Sequence, residues 1–190
     1  MRFKTREMAL VGAMAAVTAV VALVFRFYPV VLGAVPFSLL PFIAVLAGGI
    51  LGPRLGAWSM IVYIVMGLAG FQVFATEPFG GPLYVLKPTF GFLFGYVPAA
   101  YISGFIIWRN INAGIVTYSV AMLLGIVVIY LVGIPYLYLM LNFYLGKKVL
   151  LWQVTAGMGV LMLIDVVKAL AAAVVAKSMV KRLASVVSHR

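Results

Sequence analysis

Six times along this chain, an apolar stretch about as long as a bilayer is thick gives way to basic residues or to a glycine–proline break. The stretches are 8–25, 36–51, 56–71, 88–107, 115–141 and 154–176. About 20 apolar residues span the hydrocarbon core as a helix, and backbone in that core must satisfy its own hydrogen bonds. The pattern predicts an all-α, polytopic membrane protein with six transmembrane helices, residues 1–190 forming a single membrane domain. Composition closes the other routes. Hydrophobic residues make up 66% of the 190 positions and charged residues 9%, where a soluble domain has about 45–50% and about 25%. So few polar residues also exclude disorder.

The remaining charges carry topology. Lys and Arg number 14 against 3 Asp and Glu. They flank the apolar stretches instead of forming one stripe, which argues against a nucleic-acid interface and for membrane orientation. With six spans, residues 2, 4, 6, 54, 109, 177, 181, 182 and 190 share one side and 26, 87, 147 and 148 the other, nine against four. The positive-inside rule then puts both termini in the cytoplasm and segment 72–87 outside the cell membrane. The basic start (Arg2, Lys4, Arg6) has the look of a secretory signal. No small-residue cleavage site precedes a polar domain, so the first helix is expected to be retained.

Polar chemistry within the spans is concentrated in the sixth. Asp165 is the only acidic residue inside a span, and Lys168 follows three positions later on a nearby helical face. Each costs at least ~2.5–3.5 kcal/mol at a bilayer centre, so neither should face lipid. Two readings stay open: an ion pair that fixes helix packing, or the polar part of a solute pocket. In a pocket, the aspartate would accept N–H bonds and the lysine would meet a carbonyl or a carboxylate.

Segment 72–87, rich in Gly and Pro and holding Glu77, is long for a connection in a compact bundle. Phe74, Phe79 and Tyr84 give it apolar and aromatic mass for a lid over a cavity, and a loop resting at the headgroup level would use the same residues. Trp58, Trp108 and Trp152 read as interface anchors. In the first helix Ala9 and Ala13, Gly12 and Ala16, and Ala15 and Ala19 are four apart. That spacing lets helix backbones approach closely, within the bundle or against a partner protein.

Absences narrow the function. There is no cysteine, and the single histidine, His189, stands beside the C-terminus, so no metal or cofactor site is expected. No serine has an intramembrane histidine to activate it, and no second intramembrane acid completes an aspartyl dyad. No Gly-x-x-x-x-Gly-Lys-[Ser/Thr] phosphate loop is present. An enzyme is not expected, and accumulation of a solute would need a partner's free energy.

A longer set of residues is distinctive. It runs Val35-Pro36-Phe37-Ser38, Leu46-Ala47-Gly48, Leu51-Gly52-Pro53-Arg54-Leu55-Gly56, Tyr63, Gly67-Leu68, Gly70, Val73-Phe74-Ala75 and Gly80-Gly81. It continues with Pro88-Thr89, Gly91, Gly95-Tyr96, Tyr130, Gly133, Pro135, Asp165 and Lys168. Together these residues resemble the BioY family of biotin transporters, the substrate-capture (S) components of energy-coupling-factor (ECF) transporters. The resemblance covers most of the chain and is most specific over 35–96.

The resemblance implies an S-component fold of six helices with cytoplasmic ends and biotin held near the outer surface under loops. It also implies dependence on an ECF transmembrane coupling protein and two ATPase subunits. It implies roles for Asp165 as acceptor of ureido N–H bonds, Thr89 as a secondary polar contact, and Lys168 as donor to the ureido carbonyl. Lys87 or Lys168 would neutralise the valerate carboxylate. Phe74 and Tyr84 of the lid, with Gly91, complete the expected substrate-binding set, and Ala9, Gly12, Ala13 and Ala16 form the expected docking face. The chain departs from usual family residues at Leu40, where relatives commonly have Gln, at Thr76 and Glu77, and at Leu83, Lys87 and Phe90, where relatives commonly have Gly. Two alternatives therefore stand beside biotin: another small carboxylate vitamin or precursor bound by the same family, or a solo proton-coupled carrier using Asp165.

Overall fold

The computed structural model describes residues 4–28, 31–32, 35–36 and 38–187, with side chains for 4–28, 38–180 and 182. Arg2, His189 and Arg190 lie outside the described residues, as do the side chains of Val35, Pro36 and Lys181 and the whole of Phe37. The described α-helices are α1 (Thr5–Phe27), α2 (Leu40–Leu51), α3 (Pro53–Leu68), α4 (Phe90–Arg109), α5 (Ile115–Leu139), α6 (Leu151–Gly157) and α7 (Gly159–Val187). Between α1 and α2, β1 (Val31–Leu32) pairs antiparallel with β2 (Val35–Pro36), setting Val31 opposite Pro36 and Leu32 opposite Val35.

Among the described residues, four helices are long and apolar enough to cross a membrane: α1, α4, α5 with its continuation to Tyr144, and α7. The other two apolar helices are shorter. At 12 and 16 residues, α2 and α3 measure about 18 and 24 Å. The sequence places the third span from residue 56, but α3 already begins at Pro53. Proline suits the first turn of a helix, where its missing N–H has no partner to lose. Gly52, at φ 87°, makes the reversal from α2.

Apolar on every side, α2 is the centre of the packing, and only Phe42 among its residues is not buried. Its last turns meet α4 at backbone range. A Cβ on Gly48 would lie 1.9 Å from the Ala100 carbonyl oxygen, and one on Gly104 would lie 2.6 Å from the Gly48 carbonyl oxygen. Two side chains of α4 hydrogen-bond α2 carbonyls across this seam: Ser103 Oγ donates to Val45 O at 3.0 Å, and Trp108 Nε1 to Gly49 O at 3.0 Å. Trp108 is thereby a packing residue with a defined partner, more than the interface anchor the sequence suggests.

The sixth apolar stretch is not one helix. It breaks at Met158, and α6 and α7 meet there between Gly157 and Gly159. A Cβ at either glycine would find no heavy atom within 4 Å. Segment 72–87 is ordered, with a short 3-10 helix at Pro82–Leu86.

Candidate binding cavity

The ends of α3 and α5 and the start of α4 meet at the end of the bundle covered by segment 72–87. The segment turns back on itself through Phe74 N–H donating to Phe79 O at 2.8 Å, and Gly81 N–H donating to Gly67 O at 2.7 Å. It is anchored from outside as well. The Arg26 guanidinium, in the last turn of α1, stands 3.7 Å above the Phe79 ring and donates to Gln72 Oε1 at 3.4 Å. Tyr136 of α5 donates to the Val85 carbonyl.

Beneath this cover lies a cavity of about 90 Å³ that opens at its mouth. Six aromatic residues stand in its wall. Phe74 is fully buried, its ring centroid 4.1 Å from that of Tyr84 and 5.7 Å from that of Tyr63. The ring lies so close over α3 that a Cβ on Gly67 would come within 2.1 Å of it. A glycine is what lets the cover settle.

The charged part of the wall comes from α7, joined by Tyr130 of α5. Lys168 Nζ donates to Asp165 Oδ1 at 2.7 Å and to the Ser38 carbonyl at 2.7 Å. The Tyr130 hydroxyl donates to Asp165 Oδ2 at 2.8 Å. Asp165, Lys168 and Tyr130 are all buried, and all three line the cavity. An ionised carboxylate has about four acceptor directions, and these two bonds occupy two of them. The ion pair the sequence leaves open is present, and it faces the cavity.

Of the other expected binding residues, Phe74, Tyr84 and Thr89 line the same space. Lys87 and Gly91 do not. The Lys87 ammonium is turned to the Glu77 carbonyl, with the Tyr84 ring 5.6 Å away. Burial holds this ammonium below the usual lysine range, against the opposing pull of Glu77. Gly91 sits against Tyr136, whose Cβ would be 2.3 Å from an added methyl. Its service is helix packing. Burial pushes the Tyr84 phenol up, and the hydrogen bond with Thr76 offsets part of that.

Tyr130, Tyr63, Tyr96 and Thr76 also line the cavity and were not singled out as binding residues by their sequence. One signal was available for the tyrosines: a buried phenol in an apolar span must find a partner or a cavity. Leu40, where the family resemblance expects Gln, is in the wall too. On α1, Ala9, Gly12, Ala13 and Ala16 are exposed, whereas Ala15 and Ala19 are buried within the bundle. The two small-residue rows of this helix thus have different surroundings.

The BioY family description matches residues 1–185. The chain belongs to the BioY family. Among curated BioY relatives, a probable biotin transporter BioY of Lysinibacillus sphaericus is 41% identical over 144 residues, 76% of this chain and 70% of that protein. A probable biotin transporter BioY of Pyrococcus horikoshii is 35% identical over 176 residues, covering 92% and 96%. These BioY relatives are named as transporters, not enzymes. The crystal structure of the S-component for biotin from an ECF-type ABC transporter superposes with a TM-score of 0.78 over 95% of each chain. At 20% identity that likeness is one of fold. The BioY chain described here is an all-helical membrane protein apart from the two-residue β1 and β2 pairing.

Proposed function

We propose that this BioY chain is the membrane-embedded substrate-binding subunit for biotin uptake, working with an ECF coupling protein and two ATPases. The observation that carries the reading is the Tyr130–Asp165–Lys168 cluster in the wall of an aromatic, covered cavity. The remaining acceptor directions of Asp165 suit the ureido N–H groups, and Lys168 suits the ureido carbonyl. Thr89 adds a polar contact. The fused rings lie against Phe74, Tyr63 and Tyr96. A hydrogen bond to a charged group contributes roughly 1.5–3 kcal/mol, so a few such bonds with apolar burial hold a small nutrient firmly.

In this reading residues 1–190 act as one membrane domain, with segment 72–87 as its lid. The short helices α2 and α3 are the second and third of six spans. Enclosure of α2 by other helices keeps its backbone from lipid despite its length. Both termini are cytoplasmic and the lid faces outward, as the basic residues dictate.

Equilibrium titration of the purified protein with biotin tests this. Saturable binding in the micromolar range or tighter is the expected result. No biotin binding, with saturable binding of another small carboxylate, overturns the substrate and keeps the family. Leu40 in the wall is the observation that favours this second substrate reading, because it replaces a polar amide by an apolar side chain.

The exposed row Ala9, Gly12, Ala13 and Ala16 is the proposed contact with the coupling protein. Ala13→Leu should lower co-purification with that protein by an order of magnitude, since a large side chain holds two helix backbones apart. Biotin titration of the same variant should match the parent. Undiminished assembly would move the docking face off this row.

A further inference from the structure

Thr76 and Tyr84 both line the cavity, and their hydroxyl oxygens are 2.8 Å apart. Two hydroxyls bring two hydrogens, and the bond between them uses one. Among the described residues neither hydroxyl makes a second hydrogen bond. One O–H of the pair is therefore available to a bound molecule. Either oxygen can donate within the pair. Facing an anionic acceptor, the phenol, the more acidic of the two, gives its hydrogen to that acceptor and takes the Thr76 hydrogen in return. Lys87, the expected carboxylate partner, is turned to the Glu77 carbonyl and outside the cavity wall. Lys168 is engaged with Asp165 and Ser38.

We infer that the Thr76–Tyr84 hydroxyl pair on the lid is the subsite for the ligand's carboxylate, with Tyr84 donating to the carboxylate oxygen. The inference rests on the biotin reading above and assigns the end of the ligand that Asp165 does not contact. A neutral donor pair gives a specificity that a lysine would not. It recognises the acceptor strength of an anion without adding a charge to the cavity. Because Thr76 and Tyr84 belong to the lid, the carboxylate itself helps hold the lid shut.

The test compares biotin with biotin methyl ester, which keeps the ring system and weakens the acceptor, by titration of the parent, Tyr84→Phe and Thr76→Val. The parent should bind the acid about tenfold to a hundredfold more tightly than the ester, the loss of one charge-assisted hydrogen bond. Tyr84→Phe keeps the ring beside Phe74 and Phe90. It should erase the preference, so that acid and ester bind alike, and a thermal unfolding temperature near the parent's shows that the variant is folded. Thr76→Val should reduce the preference by a smaller factor. A preference that survives in Tyr84→Phe, or a parent that binds acid and ester alike, overturns the subsite and leaves the biotin reading standing. A parent that binds neither overturns both.

Discussion

Asp165→Asn should weaken biotin binding by about a hundredfold or more, the loss of roughly two charge-assisted hydrogen bonds at 1.5–3 kcal/mol each. The amide keeps the shape of the carboxylate. It keeps one acceptor oxygen, however, where the acid offers two to Lys168, Tyr130 and a ligand. The substitution also leaves the Lys168 ammonium buried without its counter-charge, and breaking a buried pair in this way costs about 3–5 kcal/mol in stability. Thermal unfolding in detergent and biotin titration separate the two effects. Adding Lys168→Met removes the orphaned charge, so Asp165→Asn/Lys168→Met should recover stability and not affinity for biotin. If Asp165→Asn binds biotin as the parent does, the pair is a packing device and the cavity takes its ligand by other means.

Gly48→Ala should destabilise the fold by about 3 kcal/mol or more, the upper range of overpacking. The sign is opposite to the ordinary one, since alanine in a helix interior is favoured over glycine by about 1 kcal/mol. Here the added methyl would stand 1.9 Å from the Ala100 carbonyl oxygen and 2.5 Å from Ser103 Oγ. Its obstacle is mainly backbone, which cannot rotate away, so α4 must retreat as a body. That retreat also breaks the Ser103 and Trp108 bonds to α2 carbonyls. Gly12→Ala is the matched control, with nothing within 4 Å of its new methyl and an unfolding temperature equal to the parent's or slightly higher expected. Equal stability of the two variants would mean that α2 and α4 do not touch at backbone range.

The first five apolar stretches located their helices to within a few residues because helix length in a bilayer is set by hydrophobicity, which a single sequence displays directly. Stretch 115–141 is met by α5, Ile115–Leu139. What the stretches hid was anything decided by contact. The break at Met158 lies in an unbroken apolar sequence, and the flanking glycines alone do not distinguish a break from a packing notch. The short pairing of β1 with β2 and the helical turn at Pro82–Leu86 lie in segments with no clear periodicity.

The same division holds for the site. Asp165 and Lys168 were legible through the cost of placing a charge in lipid. Phe74 and Tyr84 were legible as aromatic mass in a long loop, although a loop resting at the headgroup level would have carried the same residues. Tyr130 was not, because its meeting with Asp165 depends on the rotation of α5 against α7, which no local pattern encodes. Lys87 misled for a related reason: its charge suggested a carboxylate partner, and a backbone carbonyl ten residues away in the same loop took it instead.

The post that holds the cover over the cavity is the last turn of α1, through Arg26 and the Phe79 ring. With 23 residues, α1 is about 34 Å long, and its apolar stretch 8–25 is about 27 Å, close to the ~30 Å of an average hydrocarbon core. Any shift of α1 against the rest of the bundle would carry Arg26, and with it the Phe79 contact. The seating of this one helix thereby bears on how readily the compartment opens.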